Sequence, residues 1–146
     1  MKIAYTIDQI ADVVKTLVLP LLDKYRIITL SGSVGAGKTT LTKELLRQLG
    51  FHGLATSPTF AYVNSYKTAS GKKIHHFDLY RIESLDSFMT IGFDEYLYDA
   101  EWTSLIEWPA VIDALLRDGS LKGEVCHILL AHDEKDPEKR LMTLST

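Results

Sequence analysis

The sequence predicts an α/β fold whose sheet mixes parallel and antiparallel strands, on three observations. Apolar, strand-like runs alternate with helical patterns along most of the 146 residues. A glycine-rich loop separates the first apolar run of this kind (26–31) from a strong helix-forming segment (40–49), which Gly50 ends. Residues 60–78 carry a hairpin signature, which adds antiparallel strands to an otherwise parallel core. The length is typical of one domain, so we expect a single domain over 1–146.

The glycine-rich loop predicts the type of α/β fold. Residues 32–39, GSVGAGKT, match the P-loop or Walker A pattern G-x-x-x-x-G-K-[S/T], in the strand–loop–helix context that the pattern requires. Glycines let the backbone approach phosphate oxygens, and N–H groups at a helix N-terminus attract anions. We therefore expect a P-loop NTPase-like, three-layer α/β/α fold. The predicted nucleotide-binding residues in this segment are Gly32, Ser33, Val34, Gly35, Ala36, Gly37, Lys38, Thr39 and Thr40.

Two residues of this loop have specific chemistry. Lys38 would place a positive charge on the β- and γ-phosphates of a nucleotide. The hydroxyl of Thr39 would join a Mg²⁺ shell completed by phosphate oxygens and water. The loop therefore predicts a nucleotide and Mg²⁺ as cofactors.

The other elements follow from periodicity and turn residues. Thr6 and Gln9 resemble a helix capping box, and apolar residues recur at helical spacing over 10–22, where Pro20 predicts a kink or break. The hairpin strands are predicted at 60–66 and 72–78 around a turn at 68–71. Further elements are helices from residues 84 and 92, a strand at 103–108, a helix opened by Pro109, and strands at 124–131 and 140–145.

Charge and composition narrow the class of protein. The net charge of −3 provides no overall positive field for RNA or an anionic membrane. The longest apolar runs are too short to span a bilayer, and the first residues do not resemble a signal peptide. Cys126 cannot form a disulfide framework and is expected to be an inert core thiol. These features favour a cytoplasmic protein with no membrane partner.

A P-loop needs a second acid to hold the metal and a group to position water. Glu107 and Asp78 are the candidates, since each ends a strand-like run where open α/β sheets gather their ligands. The residues alone leave both open, because a surface acid can also end a strand. His75 and His76 point to opposite faces of a strand and are expected to be structural. Trp108, beside Glu107, is a candidate lid over the phosphates.

Four sequence blocks resemble the TsaE family, also called YjeE, small P-loop ATPases of bacterial tRNA threonylcarbamoyladenosine synthesis. They are 32–40 (GSVGAGKTT), 57–60 (SPTF), 76–81 (HFDLYR) and 105–109 (LIEWP), with a weaker block at 92–96 (GFDEY). They occur in the family's order and are spread over most of the chain, from residue 32 to residue 109.

The resemblance implies roles for individual residues. The segment 57–60 would be a switch-like loop near the γ-phosphate, Asp78 would belong to the hydrolytic site, and Glu107 would complete the Mg²⁺ shell with Thr39. Trp108 would lie next to Glu107 and join the nucleotide-binding residues. The adenine would lie between residues 7–8 and residues 131–132.

The resemblance also implies a function: ATP binding and slow, Mg²⁺-dependent hydrolysis in a complex with TsaD and TsaB homologues, required for threonylcarbamoyl modification of adenosine 37 in tRNA. The tRNA contact would be indirect, and self-association of the isolated chain is left open. Hydrolysis would depend on a partner, because the chain offers no obvious arginine finger of its own. Arg81 is the only arginine in these blocks and is either catalytic or structural.

Other functions remain open from the residues. A P-loop small-molecule kinase is the main alternative, although such enzymes usually have an arginine-bearing lid and the arginines here are scattered. A GTPase would need the guanine-reading sequence Asn-Lys-x-Asp, which the chain lacks. A binding module without hydrolysis is the third alternative.

Overall fold

The computed structural model describes residues 1–51 and 62–146, and the block at 57–60 lies outside these ranges. Seven strands are found in the described ranges, and all belong to one sheet. They are β1 (Lys2–Thr6), β2 (Ile27–Ser31), β3 (Val63–Lys67), β4 (Lys73–Asp78), β5 (Thr103–Glu107), β6 (Val125–His132) and β7 (Lys139–Ser145).

The sheet is mixed, as expected from the sequence. Its order is β1-β7-β6-β2-β5-β4-β3. The four central strands, β6, β2, β5 and β4, are mutually parallel, whereas β1, β7 and β3 pair antiparallel at the two edges. The glycine-rich loop therefore leaves the sheet from β2, between β6 and β5.

Helices cover both faces of the parallel strands. The helices are α1 (Ile10–Val13), α2 (Lys38–Gln48), α3 (Leu85–Ile91), α4 (Asp94–Tyr98) and α5 (Asp113–Leu116), with a 3₁₀ turn, Pro109–Ile112, before α5. Adjacent strand residues point to opposite faces, so Ile28 packs with α1 and α2 whereas Ile27 packs with α3, α4 and α5. The two separate cores confirm the three-layer α/β/α arrangement.

The N-terminal helical segment begins with the predicted capping box and changes geometry twice, at Val14 and again at Leu19, next to Pro20. The Thr6 backbone N–H donates to Gln9 Oε1 at 3.0 Å, as in a capping box. After α1 the backbone widens to a π-helix, Val14–Val18, and then tightens to a 3₁₀-helix, Leu19–Asp23. Pro20 lies in the 3₁₀ part and cannot donate a main-chain hydrogen bond, which explains the break.

One strand, β1, was not predicted from the sequence. It is an edge strand that pairs antiparallel with β7, with Ile3 opposite Met142. Tyr5 is its one buried residue, so it lacks the apolar pattern of the inner strands. The hairpin prediction is confirmed for β3 and β4, but the part of its first strand at 60–61 lies outside the described residues. Within the described ranges, no helix has the length and apolar character needed to cross a bilayer.

Candidate functional site

The glycine-rich loop (residues 32–37) joins β2 to α2, whose first residue is Lys38. Gly37 precedes the helix with a left-handed φ of 103°. Gly32 has φ 141°, and a Cβ there would overlap the carbonyl oxygen of Leu130 on β6. Gly37 needs glycine for its backbone conformation. Gly32 needs it for its backbone conformation and also for its close approach to β6.

The two candidate acids lie side by side next to this loop. Leu30 at the end of β2 is in register with Glu107 on β5, which is in register with Asp78 on β4. The Trp108 N–H donates to the Leu30 carbonyl at 3.2 Å, and the Leu79 N–H donates to the Glu107 carbonyl at 3.1 Å. The structure therefore brings both acids to the carboxyl ends of parallel strands, where the sequence analysis expected a site.

Glu107 is held by hydrogen bonds although it is only 2% exposed. The Thr39 hydroxyl lies 3.0 Å from each of its carboxylate oxygens, and His76 Nε2 lies 2.7 Å from Oε1. Mg²⁺ prefers oxygen ligands and usually takes only one or two from a protein, the rest coming from phosphate and water. Thr39 and Glu107 fit this requirement. In the described ranges, no group of three or more His, Cys, Asp or Glu residues could hold a metal ion.

Asp78 is half-buried beside Glu107. Its Oδ1 accepts a hydrogen bond from the Tyr80 backbone N–H at 3.1 Å. Burial raises the pKa of Asp78, and the neighbouring charge of Glu107 raises it further, against the opposing effects of the Tyr80 N–H, His76 and Lys38. A carboxylate of raised pKa next to a phosphate-binding loop is suited to accept a hydrogen bond from water.

Lys38 is 5% exposed, and its Nζ donates to the carbonyls of Gly32 at 2.7 Å and Ser33 at 2.9 Å. The same Nζ lies 3.9 Å from the centroid of the Trp108 ring. Burial lowers the pKa of Lys38, while the charges of Glu107 and Asp78 oppose that shift. The side chain thus carries its charge into the site that contains both candidate acids.

A cavity of about 380 Å³ contains these groups. Its lining residues are Val34, Gly35, Gly37, Lys38, Thr39, Thr40, Asp78, Tyr80, Glu107 and Trp108. All but Tyr80 were predicted from the sequence. Three other predicted residues do not line it: Ala36 is fully buried in the core beneath α2, while Gly32 and Ser33 present their carbonyls to Lys38.

A second cavity, of about 450 Å³, adjoins the first and shares Gly35, Gly37 and Thr40 with it. Residues 5–8 form one wall, as the family resemblance implies for an adenine site. The rest of the lining differs from that expectation. Pro137, Glu138 and Arg140 line the cavity, and residues 131–132 do not.

His76, expected from the sequence to be structural, contacts Glu107 of the site. The signal was its spacing, because His76 and Asp78 are two residues apart on β4 and therefore share a sheet face. His75 lies on the opposite face of the sheet, where its ring stacks on Trp102 with the ring centroids 4.1 Å apart. Its Nδ1 is hydrogen-bonded to the Ser65 hydroxyl, as expected of a structural residue. Arg81 is exposed and does not line the cavity.

The fold and site define the class of protein. A three-layer α/β/α arrangement with a G-x-x-x-x-G-K-T loop at the end of its central parallel strand is P-loop NTPase-like. Residues 5–141 match the family model of threonylcarbamoyl adenosine biosynthesis protein TsaE. The chain belongs to the TsaE family.

Two relatives and one solved structure illustrate the match. A tRNA threonylcarbamoyladenosine biosynthesis protein TsaE from Rickettsia conorii is 33% identical over 80% of this chain and 70% of its own length. The protein of that name from Haemophilus influenzae is 41% identical over 59% of this chain, and the match spans about half, 53%, of that relative. The crystal structure of Bacillus subtilis YdiB shares the fold, with a TM-score of 0.68 and 23% identity over 99% of this chain and 84% of that chain.

Proposed function

We propose that this chain binds Mg²⁺·ATP at the glycine-rich loop and hydrolyses it slowly. The observation that carries the proposal is the placement of the Thr39 hydroxyl 3.0 Å from both carboxylate oxygens of Glu107, beside a loop of phosphate-binding sequence. This pair would hold the metal, which would supply charge neutralisation at the phosphates.

The loop and its lysine would hold the phosphates. Backbone N–H groups at the start of α2 attract anions, and Lys38 adds a full positive charge. Lys38 would exchange the carbonyls of Gly32 and Ser33 for phosphate oxygens, a stronger, charge-assisted interaction. The second cavity would receive the base, because it continues from the loop at Gly35 and Gly37.

Asp78 would orient the attacking water. It lines the cavity beside Glu107, and its raised pKa favours acceptance of a proton from that water. We expect hydrolysis to be slow because the described residues that line the cavity include no arginine to stabilise the transition-state charge. A partner would have to supply that charge or order the site.

The family suggests the biological context. Membership in the TsaE family supports a role in tRNA threonylcarbamoyladenosine biosynthesis, and we propose that the chain acts there with TsaD and TsaB homologues in the cytoplasm. The net charge of −3 favours indirect contact with tRNA through those partners.

Calorimetric titration with ATP in excess Mg²⁺ tests the proposal. Wild type should bind, and Lys38→Met should bind at least about tenfold more weakly, because a hydrogen-bonded charge is lost. Lys43→Met is the matched control, since Lys43 is exposed on the same helix and should leave binding unchanged. Absence of binding by wild type, or equal binding by Lys38→Met, would refute the proposal.

The metal role has its own test. Glu107→Gln should reduce the gain in ATP affinity that Mg²⁺ provides, because a neutral amide is a poorer ligand for this cation. Unchanged Mg²⁺ titration would remove Glu107 from the metal site. Phosphate transfer to a small-molecule acceptor, faster than release to water, would favour the kinase alternative.

A further inference from the structure

We infer that His76 is a positioning residue, which holds the Glu107 carboxylate in the orientation that a metal requires. The inference rests on the proposed function. His76 Nε2 and Glu107 Oε1 are 2.7 Å apart, and the two side chains are 1% and 2% exposed. A contact this short and this buried defines the geometry of both groups.

The contact crosses between strands. His76 lies on β4 directly opposite Leu105 of β5, so Glu107, two residues further along β5, is its diagonal neighbour on the same face. The other support of Glu107 comes from Thr39 on α2. The carboxylate is therefore held from a neighbouring strand and from the helix that follows the glycine-rich loop.

The hydrogen-bond roles follow from the chemistry of the two groups. An ionised carboxylate can only accept, and Mg²⁺ binds that form, so with Glu107 ionised Nε2 of His76 carries the hydrogen. The other ring nitrogen, Nδ1, is buried and has no hydrogen-bond partner within residues 1–51 and 62–146. Within the described residues, the ring therefore hydrogen-bonds to Glu107. A side chain that only filled the core would gain nothing from having polar atoms.

Orientation matters because metal ligands depend on the groups that hold them. Thr39 is equidistant from both Glu107 oxygens and does not favour one of them. His76 contacts Oε1 and so distinguishes the two oxygens. When Mg²⁺ binds, Oε2 would be the oxygen that the histidine leaves available. Loss of such a supporting hydrogen bond typically weakens metal affinity about 10- to 100-fold.

Two substitutions separate positioning from packing. His76→Gln can place its amide nitrogen near the position of Nε2, whereas the shorter His76→Asn cannot reach Glu107. ATP affinity is measured by calorimetry in excess Mg²⁺ and in EDTA, and the ratio of the two affinities is the readout. We expect His76→Asn to lower the ratio of affinities about tenfold or more, with the affinity in EDTA unchanged. His76→Gln should keep most of the wild-type ratio.

The outcomes are distinguishable. Equal ratios for wild type and His76→Asn would overturn the inference while leaving the proposed function intact. So would an equal loss of affinity with and without Mg²⁺, which marks a structural role. A wild type with no Mg²⁺ enhancement would overturn both. His75→Asn is the matched control, because it removes a buried histidine from the opposite face of the same strand and should keep the wild-type ratio.

A measurement on wild type covers the case in which His76→Asn does not fold. The protein is labelled with ¹⁵N-histidine, and Mg²⁺ is added to the ATP complex. The His76 Nε2 resonance should shift, because Mg²⁺ would withdraw electron density from the Glu107 carboxylate to which Nε2 is hydrogen-bonded. The His75 resonance should stay in place, because His75 bonds Ser65 and stacks on Trp102. A His76 resonance that does not respond to Mg²⁺ would overturn the inference.

Discussion

The Lys38 ammonium lies against the indole of Trp108, with Nζ 3.9 Å from the ring centroid. Trp108 directly follows Glu107 and adopts a left-handed backbone conformation, with φ 59°. The Tyr80 ring packs against the indole at 4.8 Å. A cation over an aromatic ring is stabilised by the ring quadrupole, so the tryptophan supports the charged end of the lysine in the site.

This contact predicts a fluorescence signal. Binding of ATP should change the intrinsic tryptophan emission, because the ammonium next to the Trp108 indole would turn toward phosphate. The Trp108→Phe variant should lose the change. Trp102→Phe is the matched control, since Trp102 stacks on His75 and does not line the cavity. An ATP-dependent signal that persists in Trp108→Phe and disappears in Trp102→Phe would contradict the assignment.

Asp78 should affect hydrolysis more than binding. Asp78→Asn keeps the size of the side chain but removes the proton acceptor, so phosphate release at saturating Mg²⁺·ATP should slow by about 100-fold or more. ATP affinity should stay within about threefold of wild type, a difference of less than one kcal/mol. Asp86→Asn, on the exposed side of α3, should leave both quantities unchanged. Equal turnover in the two variants would exclude Asp78 from the hydrolytic site.

Substitution by alanine should cost different amounts of stability at two glycines of the loop. Gly32→Ala should lower the free energy of unfolding by about 3 kcal/mol or more, because its Cβ would overlap the Leu130 carbonyl oxygen of a paired strand. Gly35→Ala should cost only about 1 kcal/mol, since its φ is 78° but nothing lies within 4 Å of a Cβ there. Urea unfolding of both variants measures the difference, and similar losses would argue against the close approach of Gly32 to β6.

His75 should make stability depend on pH. Burial lowers its pKa from 6.5 to about 4, with a smaller opposing effect from Asp99. Between about pH 6.5 and pH 4, His75 is protonated in the unfolded chain but not in the folded chain. The free energy of unfolding therefore falls as the pH drops from 6.5 toward 4, by about 3 kcal/mol at most. Urea unfolding of wild type and His75→Gln at several pH values isolates this contribution. Parallel pH profiles for the two proteins would contradict it.

Local patterns were sufficient for much of the fold. The glycine-rich loop, the inner strands and the capping box at Thr6 were predictable because each depends on residues close in sequence. β1 was not, because an edge strand with one buried residue has little periodicity of its own and forms by pairing with β7. The TsaE family was also recognisable from its blocks, and the match over residues 5–141 confirms it.

The sequence by itself determined the α/β class and the family, and it placed a phosphate-binding pattern at the end of a strand, since loop conformation and strand periodicity are properties of neighbouring residues. Only the tertiary structure decided which acids meet. Glu107 and Asp78 were alternatives in sequence, and the order β2-β5-β4 sets them side by side. The same strand order brings His76 to Glu107, because contacts between residues some thirty positions apart depend on how strands pair rather than on local preference.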